Sequence, residues 1–151
     1  MKRKSEKDTT SNTGLPVPKE SGVIMKAGVK RGCILVVEEE QAVREVLLKM
    51  LLSLGYQLTV ADSGEEGLDQ FQNGSYDLVL TDLTMSAMDG WTLASHIKDK
   101  SPNTPICLMT GWGEEEIRHQ IEGSAVDFVI FKPFGLHELQ EMLKKILKST
   151  P

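Results

Sequence analysis

The chain has 151 residues, 40% of them hydrophobic and 26% charged, with a net charge of −5. That is the size and balance of one globular domain. No apolar run approaches the roughly 20 residues that a membrane-spanning helix needs, and the basic start (Lys2, Arg3, Lys4) has no apolar stretch behind it, so it is not a secretory signal. The charge is divided unevenly: residues 1–31 carry +5 and residues 32–151 carry −10. An acidic folded part is a poor match for nucleic acid.

Residues 1–31 are rich in Gly, Pro, Ser, Thr and Lys without apolar periodicity, and are expected to form a flexible basic leader. At Gly32 the pattern changes. Cys33–Val37 is a short, mostly β-branched apolar run, as in a strand buried on both faces. Residues 40–54 have helical spacing, with Val43, Val46, Leu47, Met50, Leu51 and Leu54 on one stripe and Gly55 closing the helix. Leu48 and Leu52 lie off that stripe, four apart, and are expected to form an exposed ridge.

Gln57–Ala61 alternates as an edge or half-buried strand does. Ser63 and Glu66 have capping-box spacing and open a helix carrying Leu68 and Phe71, ended by Asn73-Gly74. Asp77–Thr81 is a second buried strand, and Asp89 caps a helix with Leu93 and Ile97 inward. Pro105–Met109 is the fourth strand. Glu114–Glu116 suit the first turn of a helix that carries Ile117 and Ile121 and closes at Gly123. Val126–Phe131 is the fifth strand, and Leu136, Leu139, Leu143 and Ile146 mark the last helix. Neither Cys33 nor Cys107 belongs to a metal-type cluster. His96, His119 and His137 fall on different helices and are expected at the surface.

Five strands, each followed by a helix, imply an α/β fold with a parallel sheet, helices on both faces and right-handed crossovers. Ligands of such sheets sit beyond the carboxyl ends of the strands. The residues there are Glu38-Glu39-Glu40, Thr81-Asp82, Thr110-Gly111 and Lys132-Pro133. A carboxylate can act as a nucleophile toward phosphorus. A divalent cation and a lysine neutralise the charge of the transferring group. Glu39, Asp82 and the backbone carbonyl of Thr84 are candidate oxygen ligands for Mg2+. Lys132 would hold one phosphoryl oxygen, the Thr110 hydroxyl another, and Gly111 would leave room.

Ile34–Val37 with its acidic run, Asp77–Asp82, Met88-Asp89-Gly90, Met109-Thr110-Gly111 and Lys132-Pro133-Phe134, in this order, resemble the receiver domain of bacterial response regulators over residues 32–149. The resemblance implies a (βα)5 doubly wound, flavodoxin-like sheet of order 2-1-3-4-5. It implies Asp82 as phosphoacceptor, Glu38 and Glu39 as the metal-binding acidic pair with Asp82 and Thr84, Thr110 as switch hydroxyl and Lys132 as phosphate-contacting lysine. The donor would be a sensor histidine kinase or histidine phosphotransfer protein, and the location cytoplasmic.

Four departures stand out. The acidic pair, usually Asp-Asp or Glu-Asp, is Glu-Glu, and the extra methylene displaces the metal-facing carboxylate by about 1.5 Å, which weakens Mg2+. Ser86 stands where Pro is usual. Val129 stands where an aromatic switch residue is common, with Phe128 expected on the opposite face. The Leu48/Leu52 ridge is unusual and is an expected kinase or phosphotransfer contact.

Only Ser149-Thr150-Pro151 follows the last helix, so a single-domain regulator is expected. Its alternative is a degenerate pseudo-receiver that binds partners without phosphorylation. A haloacid-type phosphatase would want Asp where Thr84 stands, and a flavodoxin a Ser/Thr/Gly-rich loop where the acidic run stands.

Overall fold

The computed structural model of the chain describes the backbone of Gly22–Ile24 and residues 31–147. Strand β1 is Gly22–Ile24, β2 Cys33–Val37, β3 Gln57–Ala61, β4 Leu78–Asp82, β5 Ile106–Thr110 and β6 Phe128–Phe131. The helices are α1 Gln41–Ser53, α2 Gly64–Gln72, α3 Gly90–Lys100, α4 Glu114–Ile121 and α5 Leu136–Leu147. The sheet order is β1-β3-β2-β4-β5-β6. Strands β2 to β6 are mutually parallel, which gives the expected 2-1-3-4-5 order.

Strand β1 was not legible in the sequence. It lies inside the expected leader and pairs antiparallel with β3, Val23 opposite Thr59. The rest of residues 1–30 lies outside the described residues. Its presence makes β3 an interior strand rather than an edge, and four of the five β3 residues are buried.

Alternate residues of each strand feed two cores. On one face Ile34, Val36, Leu58, Val60, Leu80, Cys107 and Met109 pack against α1 and α5. On the other, Leu35, Val37, Val79, Ile106 and Leu108 pack against α2, α3 and α4. Phe128 sits on the first face and Val129 on the second, as alternation requires. Phe131 shares the face of Val129 and lines with it, Ile117 and Ile121 a cavity of about 200 Å³.

Helix α1 corrects the sequence expectation. Leu48 and Leu52 are 1% and 4% exposed and belong to the core, so they form no contact ridge. Val46, placed inward by the periodicity, is 57% exposed. The physical reason is Arg44. Hydropathy alone assigns a charged residue to the solvent side and turns the apolar stripe away from it. Arg44 is in fact buried beside Leu47, Leu48, Leu51 and Leu52, because its guanidinium satisfies backbone carbonyls at the sheet edge.

The caps follow the sequence more closely. Ser63 Oγ accepts from Glu66 N at 3.1 Å, although Glu66 reaches back to the amide of Asp62 rather than to that of Ser63. Asp89 Oδ1 accepts from Thr92 N at 2.9 Å. Gly55, with φ 94°, takes the left-handed conformation that ends α1. The three histidines are exposed.

Candidate functional site

Parallel register brings the strand ends together. Val37 pairs with Thr81, Asp82 with Met109 and Thr110 with Phe131. Glu38, Asp82, Thr110 and Lys132 therefore fall at one rim. Backbone bonds carry the order into the loops: Leu83 N donates to Met109 O at 2.9 Å and Lys132 N to Thr110 O at 2.7 Å.

Lys132 is the hub. Its Nζ lies 3.0 Å from Asp82 Oδ1 and 3.3 Å from Glu38 Oε1. Glu38 is fully buried, and its Oε2 accepts from Glu40 N at 3.1 Å. A buried carboxylate persists only when paired and hydrogen-bonded, and here one ammonium serves two of them. The Lys132–Pro133 peptide is cis.

Arg44 was missed by sequence reasoning. Its Nη1 donates to the carbonyls of Glu38 at 2.8 Å and Glu39 at 3.3 Å, fixing the backbone of the acidic run. The available signal was a cation within an apolar stripe, one turn after three acidic residues.

The structure separates the acidic pair. Glu38 points at Lys132, whereas Glu39 is exposed and turns to the loop after β4. Both its carboxylate oxygens lie 3.2 Å from Ser86 N, and Oε2 accepts from Ser86 Oγ. Thr110 is buried, and its hydroxyl oxygen accepts from Trp112 N at 3.0 Å. Thr84 is exposed in the same loop as Ser86. A Cβ on Gly111 would meet no atom within 4 Å, so open space adjoins Thr110.

Carboxylates and a main-chain carbonyl, without nitrogen or sulfur ligands beside them, are the donor set of a hard divalent cation. The residues fit such an ion in chemistry. Among the described residues, however, no three acidic, histidine or cysteine side chains converge as a ready-made metal cluster.

Burial raises the Glu38 carboxyl above the ordinary range, and the charge of Asp82 raises it further. Burial also raises Asp82, against the hydrogen bond and charge of Lys132. For Lys132 burial pulls downward, but Asp82 and Glu38 outweigh it and the net shift is upward. A carboxyl whose folded pKa is raised contributes stability below its unfolded pKa, and that contribution is lost as pH rises through the folded value. At neutral pH the two carboxylates therefore oppose folding. Asp82→Asn, which leaves Lys132 to Glu38 alone, is expected to be more stable than the parent at pH 7. The gain should shrink as pH falls toward 4, and urea unfolding at several pH values measures it. A loss of stability at pH 7 would contradict this account.

A doubly wound parallel sheet with an acidic residue, an aspartate, a threonine and a lysine at successive strand ends defines a receiver-type domain. Residues 34–144 match the response regulator receiver domain, and the chain belongs to that family. It is 36% identical over 118 residues to the transcriptional regulatory protein ZraR of Salmonella typhimurium, covering 78% of this chain and 26% of that protein. It is 30% identical over 120 residues to the transcriptional regulatory protein PcoR of Escherichia coli, covering 78% and 52%. The chain thus spans about a quarter to a half of the length of these relatives.

Among solved structures it is similar to the receiver domain of a sensor histidine kinase of Pseudomonas aeruginosa, with TM-score 0.73 and 27% identity over 78% of this chain and 98% of that one. That structure has a magnesium ion coordinated in its active site cleft. The chemotaxis protein CheY4 of Vibrio cholerae shares the fold, with TM-score 0.72 and 24% identity over 80% of this chain and all of that one. No helix among the described residues is long and apolar enough to cross a membrane.

Proposed function

We propose that this receiver domain accepts a phosphoryl group on Asp82 from the phosphohistidine of a sensor kinase or phosphotransfer protein, and signals by conformational change. The observation that carries the reading is the Lys132 ammonium shared between Asp82 Oδ1 and Glu38 Oε1 at the strand-end rim.

The Asp82 carboxylate attacks phosphorus; an O–P bond forms, the N–P bond of the donor breaks, and its electron pair returns to the imidazole. Lys132 keeps its charge throughout, since its pKa is raised, and neutralises one phosphoryl oxygen as it forms. Glu38, buried behind it, holds the ammonium in place. Thr110 accepts from the Trp112 amide, which leaves its hydroxyl hydrogen for another phosphoryl oxygen and ties the loop after β5 to the site. Mg2+, when bound, supplies further charge neutralisation, held by Asp82, Glu39 and the Thr84 carbonyl. The loops after β4 and β5, with α4, are the elements whose two-state equilibrium phosphorylation biases. A cytoplasmic location accords with two free cysteines, of which buried Cys107 has its thiol pushed up to about 12.

A second reading, a pseudo-receiver that binds partners without phosphorylation, is favoured by one observation: Glu39 lies on Ser86. Incubation with acetyl phosphate and Mg2+ separates the two. The expected result is a mass increase of one phosphoryl group that disappears in Asp82→Ala. No increase at any Mg2+ concentration establishes the second reading instead.

A further inference from the structure

Two of the departures from the family pattern touch each other. The second acidic position carries Glu39, one methylene longer than the usual Asp. The loop after Asp82 carries Ser86 in place of Pro. Proline has no amide hydrogen and no hydroxyl; serine supplies both, and both donate to the Glu39 carboxylate. The contact joins residues 47 apart in sequence and is the interaction that holds Glu39. The next residue, Ala87, has φ 49°, a left-handed conformation unusual for a residue with a side chain, and it turns the chain at the tip of the same loop.

We propose that Ser86 is a positioning residue that latches the Glu39 carboxylate onto the loop after β4, so that divalent-cation binding and latch opening are one equilibrium. The inference rests on Asp82 and Glu39 forming the metal site of the proposed function. A ligand oxygen that already accepts two hydrogen bonds must give up part of that stabilisation to coordinate a cation. Apparent metal affinity falls by the fraction of molecules that are latched. Because Glu39 and Ser86 are both exposed, the latch is weak enough to open. Opening also frees the loop that carries Thr84, whose carbonyl is the other ligand on that segment. The receiver then fills its site only where the cation is abundant or where a bound partner displaces Ser86. The longer carboxylate and the missing proline act as one device rather than as two separate defects.

The test uses the full chain and Mg2+ alone. Calorimetric titration should show Ser86→Ala binding Mg2+ 3- to 10-fold more tightly than the parent, and Ser86→Pro more tightly still. In the metal-free protein, Glu39→Gln should shift the Ser86 amide proton upfield, because a charged acceptor is lost. An Mg2+ affinity that is unchanged or weaker in Ser86→Ala overturns the proposal, as does a Ser86 amide that ignores Glu39→Gln. If acetyl phosphate still labels Asp82 in that case, only the latch has failed. If neither protein takes up Mg2+ or label, the proposed function has failed with it.

Discussion

Lys132→Met is expected to lose about 2–3 kcal/mol of stability at pH 7 and at least 100-fold in the rate of Asp82 labelling by acetyl phosphate. The first effect follows from Glu38, which has no exposed surface. Its Oε1 and Asp82 Oδ1 share one ammonium, and methionine keeps the stem while removing the charge. Removing one partner of a buried ion pair costs about 3–5 kcal/mol because the remaining charge is stranded. Lys132 is 26% exposed, and proton uptake by Glu38 relieves part of the cost, which lowers the expected value. That relief fixes the pH dependence. Both carboxyls already have raised pKa values, and without the ammonium they rise further. The deficit of the variant should therefore be largest above pH 7 and shrink toward pH 5. The second effect is loss of a preorganised cation at the developing phosphoryl charge, for which about 10²–10³ in rate is typical. Urea unfolding at pH 5 and 7, with mass-resolved labelling time courses, measures both. A variant within 0.5 kcal/mol of the parent at pH 7 would mean that the cluster is solvated and that Lys132 is not its hub.

The sheet and its rim were legible because buried parallel strands are written as continuous apolar runs. Ile34–Val37, Leu78–Leu80 and Ile106–Met109 have almost no polar residue to misplace, and the first chemistry-bearing residue after each run lies at the carboxyl edge by construction. Helix α1 was misread for the opposite reason. Val43, Val46, Leu47, Leu48, Met50, Leu51, Leu52 and Leu54 admit two overlapping stripes, and only the side of Arg44 chooses between them. Hydropathy places an arginine in solvent, whereas carbonyls that need a donor at the sheet edge place it inside. Strand β1 has three residues and borrows its order from β3, so no local pattern announces it. The direction of the Glu39 carboxylate is a matter of side-chain torsions. Ser86 was visible as a lost proline, but its role as a donor appears only once the loop is folded back on the acidic run.

Gly90 illustrates the difference between a motif residue and a reason for it, and carries the other large expected effect. In the sequence it is part of Met88-Asp89-Gly90. In the structure it starts α3 directly beneath Asp82. A Cβ there would lie 2.5 Å from the carbonyl oxygen of Asp82, 2.7 Å from Leu108 Cδ1 and 3.0 Å from Leu83 Cα. Two of those three neighbours are backbone atoms and cannot rotate away. Its amide also donates to Leu83 O at 2.8 Å, so the helix start and the strand end are bolted together. Alanine favours helix over glycine by about 1 kcal/mol, which works against a destabilising outcome. Overpacking a close contact costs about 1–3 kcal/mol, and more where backbone must shift. Gly90→Ala is therefore expected to be destabilising by about 2 kcal/mol net, and to slow labelling of Asp82 by about 10- to 100-fold, because the displaced atom is the carbonyl of Asp82 itself. Gly111→Ala is the matched control. It sits on the same rim, yet a Cβ there meets nothing within 4 Å, and its stability should stay within about 0.5 kcal/mol of the parent. Denaturant midpoints of the two variants decide the matter. Equal midpoints would mean that the contact beneath Asp82 yields without cost, and that the position of Asp82 is set by its own strand rather than by the helix that follows.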